Sequence, residues 1–190
     1  MSIVETVNAS LIPLTNIENP FSPLQDNHQR EFSYLRLSIT DVCNYRCNYC
    51  LPDGYQCDKK EQPLTVEEIQ SLVSVFAQKG IKKIRITGGE PSLRKDLPQI
   101  IRVIKNTPGI ETVALTTNGY KLEEKIEDWV NAGLDALNLS IDSLKPEMFK
   151  TITGHNRLPE ILSGLKKAIS LNLKSIKINA VLLKSYNLEQ

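Results

Sequence analysis

The sequence predicts an α/β fold, an incomplete parallel β/α barrel, and three observations carry that prediction. Strand-like and helix-like segments alternate from residue 33 onward, the pattern of parallel βαβ units joined by right-handed crossovers. Each strand-like segment alternates apolar with polar side chains instead of running as a continuous apolar stretch, so helices cover one face of the sheet only. The other face is repeatedly cationic, with Arg36, Lys83, Arg85 and Lys177, as expected for a barrel interior that receives a ligand.

The elements follow in order. Residues 1–32 carry Pro13, Pro20 and Pro23 without sustained periodicity and read as an irregular N-terminal arm. The remainder, 33–190, reads as one domain. A first strand over 33–39 opposes Leu35, Leu37 and Ile39 to Tyr34, Arg36 and Ser38. A cysteine-bearing loop leads to a helix over 65–78, where Val66, Ile69, Leu72, Val73 and Phe76 recur at three- and four-residue steps and Gly80 marks the stop. A strand over 81–87 opposes Ile84 and Ile86 to Lys83, Arg85 and Thr87, and a helix over 96–105 stops before Pro108. A strand over 111–117 opposes Val113 and Leu115 to Thr112, Ala114 and Thr116, and a helix over 122–131 closes at Gly133. A strand over 135–141 opposes Leu137, Leu139 and Ile141 to Asn138, Ser140 and Asp142. A helix over 158–171 then precedes a fifth strand over 175–182, with Ile176 and Ile178 opposed to Lys177 and Asn179.

Composition excludes several classes. With 23 Lys plus Arg against 22 Asp plus Glu, 24% charged and 41% hydrophobic residues, the chain is neither disordered, collagen-like, nor a basic coat for a polyanion. Its basic residues are scattered among acidic ones, which argues against nucleic-acid binding. No apolar run approaches the ~20 residues that span a bilayer. The N-terminus lacks a signal-peptide pattern, and Glu5 with no Arg before Arg30 argues against a transit peptide. A cytoplasmic location is the expectation.

Four cations pointing into one lumen need a counterpart, since an unpaired buried charge is costly; an anionic ligand, such as a phosphate, supplies it. For any single one of them, a strand-end position paired with a carboxylate is an equally good reading. The loop after the first strand places Cys43, Cys47 and Cys50 at C-x3-C-x2-C spacing. On a helix Cys43 and Cys50 would stand ~10 Å apart, so a loop wrapped around a metal centre is expected. Three thiolates can hold three irons of a [4Fe–4S] cubane and leave the fourth open. Structural zinc would need a fourth ligand, for which Cys57 or His28 is available, but a single C-x2-C is a poor zinc pattern. A disulfide set is disfavoured without a secretion signal, and Cys57 reads as a bystander. Strand ends then carry Gly88-Gly89-Glu90-Pro91, Thr116-Thr117-Asn118-Gly119 and Ser140-Ile141-Asp142-Ser143, where parallel barrels gather their active sites. Each alone is ordinary turn chemistry.

The cysteine spacing after the first strand and GGEP after the second resemble the radical S-adenosylmethionine (SAM) superfamily. The phrases YLRLSITDVCNYRCNYCLP, KIRITGGEPSLRKDL, TTNGYKL, LNLSIDSLKPEMFKTITG and IKINAVLL are similar to the GTP 3',8-cyclase family of molybdenum cofactor biosynthesis, from about residue 30 to the end. The resemblance implies that Cys43, Cys47 and Cys50 ligate a [4Fe–4S] cluster and that SAM takes the open iron. It also implies that Tyr49, Gly89 and Ser140 contact SAM, and that Arg36, Arg85, Thr116 and Lys177 contact GTP, with Lys83 a further candidate. The implied chemistry is reductive cleavage of SAM to a 5'-deoxyadenosyl radical, hydrogen abstraction at ribose C3' of GTP and attack on guanine C8. The implied partners are GTP, an electron donor and the cyclic pyranopterin monophosphate synthase that takes the product; a homodimer is admitted.

Two departures stand out. Val42 occupies a position where the family usually has Arg. The family also continues past residue 190 with a sixth strand and three further cysteines for a second [4Fe–4S] cluster, whereas no cysteine follows Cys57 here. A partial chain, truncated after the fifth strand and without cyclase activity alone, is therefore expected. The competing readings are a radical SAM enzyme for another substrate, such as a peptide or tetrapyrrole, a non-catalytic fragment, and a zinc-stabilised scaffold.

Overall fold

The computed structural model describes residues 23–56 and 62–188; Cys57 and residues 1–22 of the expected arm lie outside the described residues. The elements are Tyr34–Ser38 (β1), Val66–Gln78 (α1), Lys83–Thr87 (β2), Leu97–Lys105 (α2), Thr112–Thr117 (β3), Leu122–Asn131 (α3), Ala136–Ser140 (β4), Pro146–Thr153 (α4), Leu158–Ser170 (α5) and Ser175–Asn179 (β5), with a 3₁₀ turn Pro91–Leu93 after β2. The five strands form one sheet in the order β1-β2-β3-β4-β5, every neighbouring pair parallel. Strands in sequential order, with a helix in each connection, place all helices on one side. They form one layer there, α1 against α2, α2 against α3, and α3 against α5.

Alternation along the strands builds the core between those layers. Leu37, Ile84, Ile86, Val113, Leu115, Leu137 and Leu139 are buried against Ile69, Val73, Ile100, Ile101, Ile104, Ile126, Trp129 and Ile161 of the helices. Each such side chain contributes about 1.5–3 kcal/mol by leaving water. The start of α1 is fixed by a capping box: Thr65 Oγ1 accepts from the Glu68 amide at 3.2 Å, and Glu68 Oε2 from the Thr65 amide at 2.8 Å. Leu24 donates its amide to Lys79 O at 3.0 Å, which ties the residues before β1 to the end of α1.

The structure departs from the sequence expectation at three points. The Ile81 amide bonds to Phe76 O at 3.0 Å, completing the turn after α1, so β2 starts at Lys83. The Val181 amide is taken by Asp142 Oδ1 at 2.9 Å, so β5 ends at Asn179 and not at 182. Helix α4 was not expected, because its apolar stripe is only Phe149 and Ile152. Its signals were Pro146 in the first turn and Gly154 at φ 76° just past the end, the usual pairing of an early proline with a late glycine. Among the described residues no helix is long and apolar enough to cross a membrane.

Candidate functional site

The ends of β1 to β4 and the end of α4 converge on the cysteine loop. Gly89 and Glu90 donate their amides to Thr40 O and Val42 O, both at 2.8 Å, prolonging the β1–β2 pairing into the two loops. A side chain at Gly88 would collide with the Thr40 carbonyl, and one at Gly89 with the carbonyls of Asp41 and Val42. The glycine pair is thus demanded by the chain's own backbone. Farther along, Arg46 donates to Thr153 O at 3.1 Å and Asn48 to Ile152 O at 2.9 Å, so the last carbonyls of α4 hold the loop from the other side. Asn118 Nδ2 reaches Asn44 Oδ1 at 3.0 Å. Tyr45 is only 3% exposed; it stacks on His155 with ring centroids 4.7 Å apart and meets Phe149 edge-on at 6.4 Å.

Glu90 sits under this junction, 1% exposed. Its carboxylate accepts from the Ser92 amide at 2.8 Å, Thr117 Oγ1 at 2.7 Å and the Asn118 amide at 2.7 Å. Burial raises its pKa, against the lowering effect of those three donors. The residue therefore clamps the end of β3 to the loop after β2.

Cys43 and Cys47 are half-buried against the core and Cys50 is exposed. Burial raises the Cys43 pKa and, with the Asp142 carboxylate as the next cause, pushes Cys47 up to about 12. Such thiols become thiolates only beside added positive charge, which iron provides. Among the described residues no three His, Cys, Asp or Glu side chains are gathered to hold a single metal ion. A cubane takes one thiolate per iron, so its ligands stand around the cluster without converging on one ion, and three soft donors on one loop fit that group. His28, the alternative zinc ligand, is an exposed residue in the segment before β1. Tyr49 donates its hydroxyl to Asp142 Oδ2 at 2.9 Å. Burial and this carboxylate both raise its pKa, keeping the phenol protonated. Ser140, at the end of β4, is partly exposed, and Gly89 is exposed.

The face of the sheet opposite the helix layer carries the cations. Arg36 and Arg85 are register partners on β1 and β2, where like charges side by side are unfavourable. Lys177 on β5 is the register partner of Asn138 on β4. Lys83 lies 5.8 Å and Arg85 5.4 Å from the centre of the Tyr34 ring. Among the described residues none of the four cations stands within 4.0 Å of a carboxylate. Arg85 has a different partner. It reaches over Ala114, its register neighbour on β3, to the amide of Asn138, which is 4% exposed. A guanidinium has only donors, so the Asn138 amide is assigned with its oxygen and not its NH2 toward it; so oriented, that oxygen lies 3.2, 3.1 and 2.9 Å from Nε, Nη2 and Nη1. Thr116, partly exposed, lies on the same face and pairs in register with Asn138. Asn138, Asp142 and Tyr45 were not singled out as site residues from the sequence. Asn138 was visible only as a polar member of the alternating fourth strand, Asp142 also as part of the motif at its end, and Tyr45 as one residue between two cysteines.

A cysteine loop at the head of a parallel sheet whose face opposite the helices is cationic defines a cofactor-and-ligand site of the barrel type. The family model of the radical SAM superfamily matches residues 37–190, and the chain belongs to that superfamily, whose members carry a [4Fe–4S] cluster and SAM. Within it, the sequence is similar to the GTP 3',8-cyclase of Aeromonas hydrophila, 57% identical over 171 residues, covering 87% of this chain and 50% of that one. The GTP 3',8-cyclase of Tolumonas auensis is 56% identical over 167 residues, covering 88% and 50%. The chain thus spans about half the length of the curated relatives it matches. Among solved structures, Streptococcus suis SuiB bound to the precursor peptide SuiA matches with a TM-score of 0.68 at 18% identity, covering 80% of this chain and 33% of that one. HydG, a maturase of the [FeFe]-hydrogenase, matches with a TM-score of 0.65 at 15% identity over 78% and 34%. These likenesses show the fold, a partial parallel β/α barrel.

Proposed function

We propose that this chain is the radical SAM region of a GTP 3',8-cyclase acting in molybdenum cofactor biosynthesis. The observation that carries the reading is a set of sheet-face cations that meet no carboxylate among the described residues, in a chain with a three-cysteine loop after β1. Cys43, Cys47 and Cys50 would hold the [4Fe–4S] cluster, with Tyr49, Gly89 and Ser140 around SAM. Arg36, Arg85, Thr116 and Lys177, with Lys83, would bind GTP. When bound, cluster and SAM supply one-electron chemistry and a carbon radical; the protein's own residues bind, orient and exclude water. Arg36 and Arg85 would neutralise phosphate charge, and the Tyr49 hydroxyl, spent on Asp142, keeps its ring fixed. The setting would be cytoplasmic, with an electron donor upstream and cyclic pyranopterin monophosphate synthase downstream; a homodimer is compatible with the open β5 edge.

The test is anaerobic reconstitution of the chain with iron and sulfide, followed by titration with SAM and with GTP. Four irons and four sulfides per chain, a cluster spectrum perturbed by SAM, and GTP binding that weakens with salt are expected. A SAM-responsive cluster without GTP binding would point to a radical SAM enzyme for another substrate. Zinc without sulfide would overturn the cluster.

A further inference from the structure

Among the described residues, Arg85 is a half-buried cation held only by neutral groups. An oxygen nearly equidistant from all three nitrogens of a planar guanidinium, as Asn138 Oδ1 is, lies over its face and not in its plane. Among the described residues nothing occupies the in-plane N–H fork, the part that binds an anion in bidentate fashion. The Tyr34 ring, 5.4 Å from the guanidinium carbon, is again a neutral contact. Ala114 and Ala136 are register partners on β3 and β4, and their methyl side chains leave the long arginine room to cross the sheet. A carboxylate at 138 would fill the same volume and orient Arg85 as well, but it would cancel the charge and compete for the fork.

We propose that Asn138 is a positioning residue that fixes Arg85 toward the phosphates of the bound nucleotide, and that its neutrality is what keeps Arg85 available to them. This inference rests on the nucleotide reading above and names a residue that reading does not contain. Lys177, the register partner of Asn138, would flank the same anion from β5.

The experiment measures GTP affinity by equilibrium titration of the chain, with guanosine as the anion-free control and thermal melting alongside. Asn138→Asp, nearly the same shape, is expected to weaken GTP by about tenfold or more, the worth of one lost charge-assisted contact, and to leave guanosine within about threefold. Asn138→Ala, which keeps the charge but frees the side chain, is expected to weaken GTP by about threefold with guanosine unchanged. If the unsubstituted chain binds GTP no better than guanosine, the nucleotide reading fails and this inference with it. If it prefers GTP and Asn138→Asp keeps that preference, or loses both ligands equally, the inference alone is overturned. Should Asn138→Asp fail to fold, unchanged GTP affinity in Asn138→Ala overturns it.

Discussion

The Tyr49 hydroxyl and the Asp142 carboxylate, 2.9 Å apart, join the cysteine loop to the end of β4. The second Asp142 oxygen receives the Val181 amide at 2.9 Å, and Asn187 Nδ2 reaches the Asp142 carbonyl at 2.6 Å. One residue therefore anchors the loop that carries the cysteines and the chain that follows β5. Asp142→Ala strands a tyrosine hydroxyl and a backbone amide together. It is expected to cost about 2 kcal/mol, some 4–8 °C in Tm. Calorimetry of the folded chain reads the shift, and faster alkylation of Cys50 is expected to accompany it.

Gly89→Ala tests whether the GGEP turn is shaped by the chain itself. The new methyl would meet two carbonyls, of Asp41 and Val42, and neither is the movable end of a side chain. Backbone displacement of this kind costs about 1–3 kcal/mol. Because the displaced segment leads straight into Cys43, iron and sulfide content after reconstitution should fall more than thermal stability does. Normal cluster content in this variant would contradict the packing account.

Tyr45 offers a substitution in the opposite direction. Its buried hydroxyl has no hydrogen-bond partner among the described residues, so Tyr45→Phe removes an unsatisfied polar atom and keeps the stack on His155. The variant is expected to match the parent or exceed it by up to about 1 kcal/mol in urea unfolding. Phe149→Ala, by contrast, opens the same contact from the α4 side and should cost about 3–5 kcal/mol.

Asp135 sets an acid limit to stability. Burial pushes its carboxyl up, but Lys105, Lys174 and the Val113 amide together outweigh that and hold it below the usual carboxylate range. A depressed carboxyl contributes stability that is present above its unfolded pKa of about 3.9 and disappears as pH falls through the folded value. Unfolding free energy should thus fall below about pH 4. Asp135→Asn should lower stability at pH 7 and flatten that acid limb. An unchanged slope would show that other carboxylates govern it.

Much of this architecture was legible in the sequence because strand alternation is a local signal. Leu35, Ile84, Val113, Leu137 and Ile176 each announce their face with their immediate neighbours, and Arg36, Lys83, Arg85 and Lys177 fall opposite by the same two-residue period. The cysteine loop was legible for its spacing. What depends on register was not. Arg85 meets Asn138 across an intervening strand, which follows only from knowing that Arg85 pairs with Ala114 and Ala114 with Ala136. Glu90 likewise reads in sequence only as part of a turn, and its bond to Thr117 at 2.7 Å requires the loops after β2 and β3 to be neighbours. Helix α4 escaped because two buried apolar side chains, Phe149 and Ile152, are too few for a periodic pattern.

The one-sided helix layer separates two kinds of inheritance. Positions facing the helices, such as Ile86, Leu115 and Leu139, are fully buried, and exchange there is constrained by volume. Positions 36, 83, 85, 138 and 177 lie on the face opposite the helix layer of the described residues, so a change of ligand can be written there without repacking the interior. Mutational drift should therefore run at two independent tempos on the two sides of a single strand. A scaffold divided in this way can be retained while its cargo is exchanged.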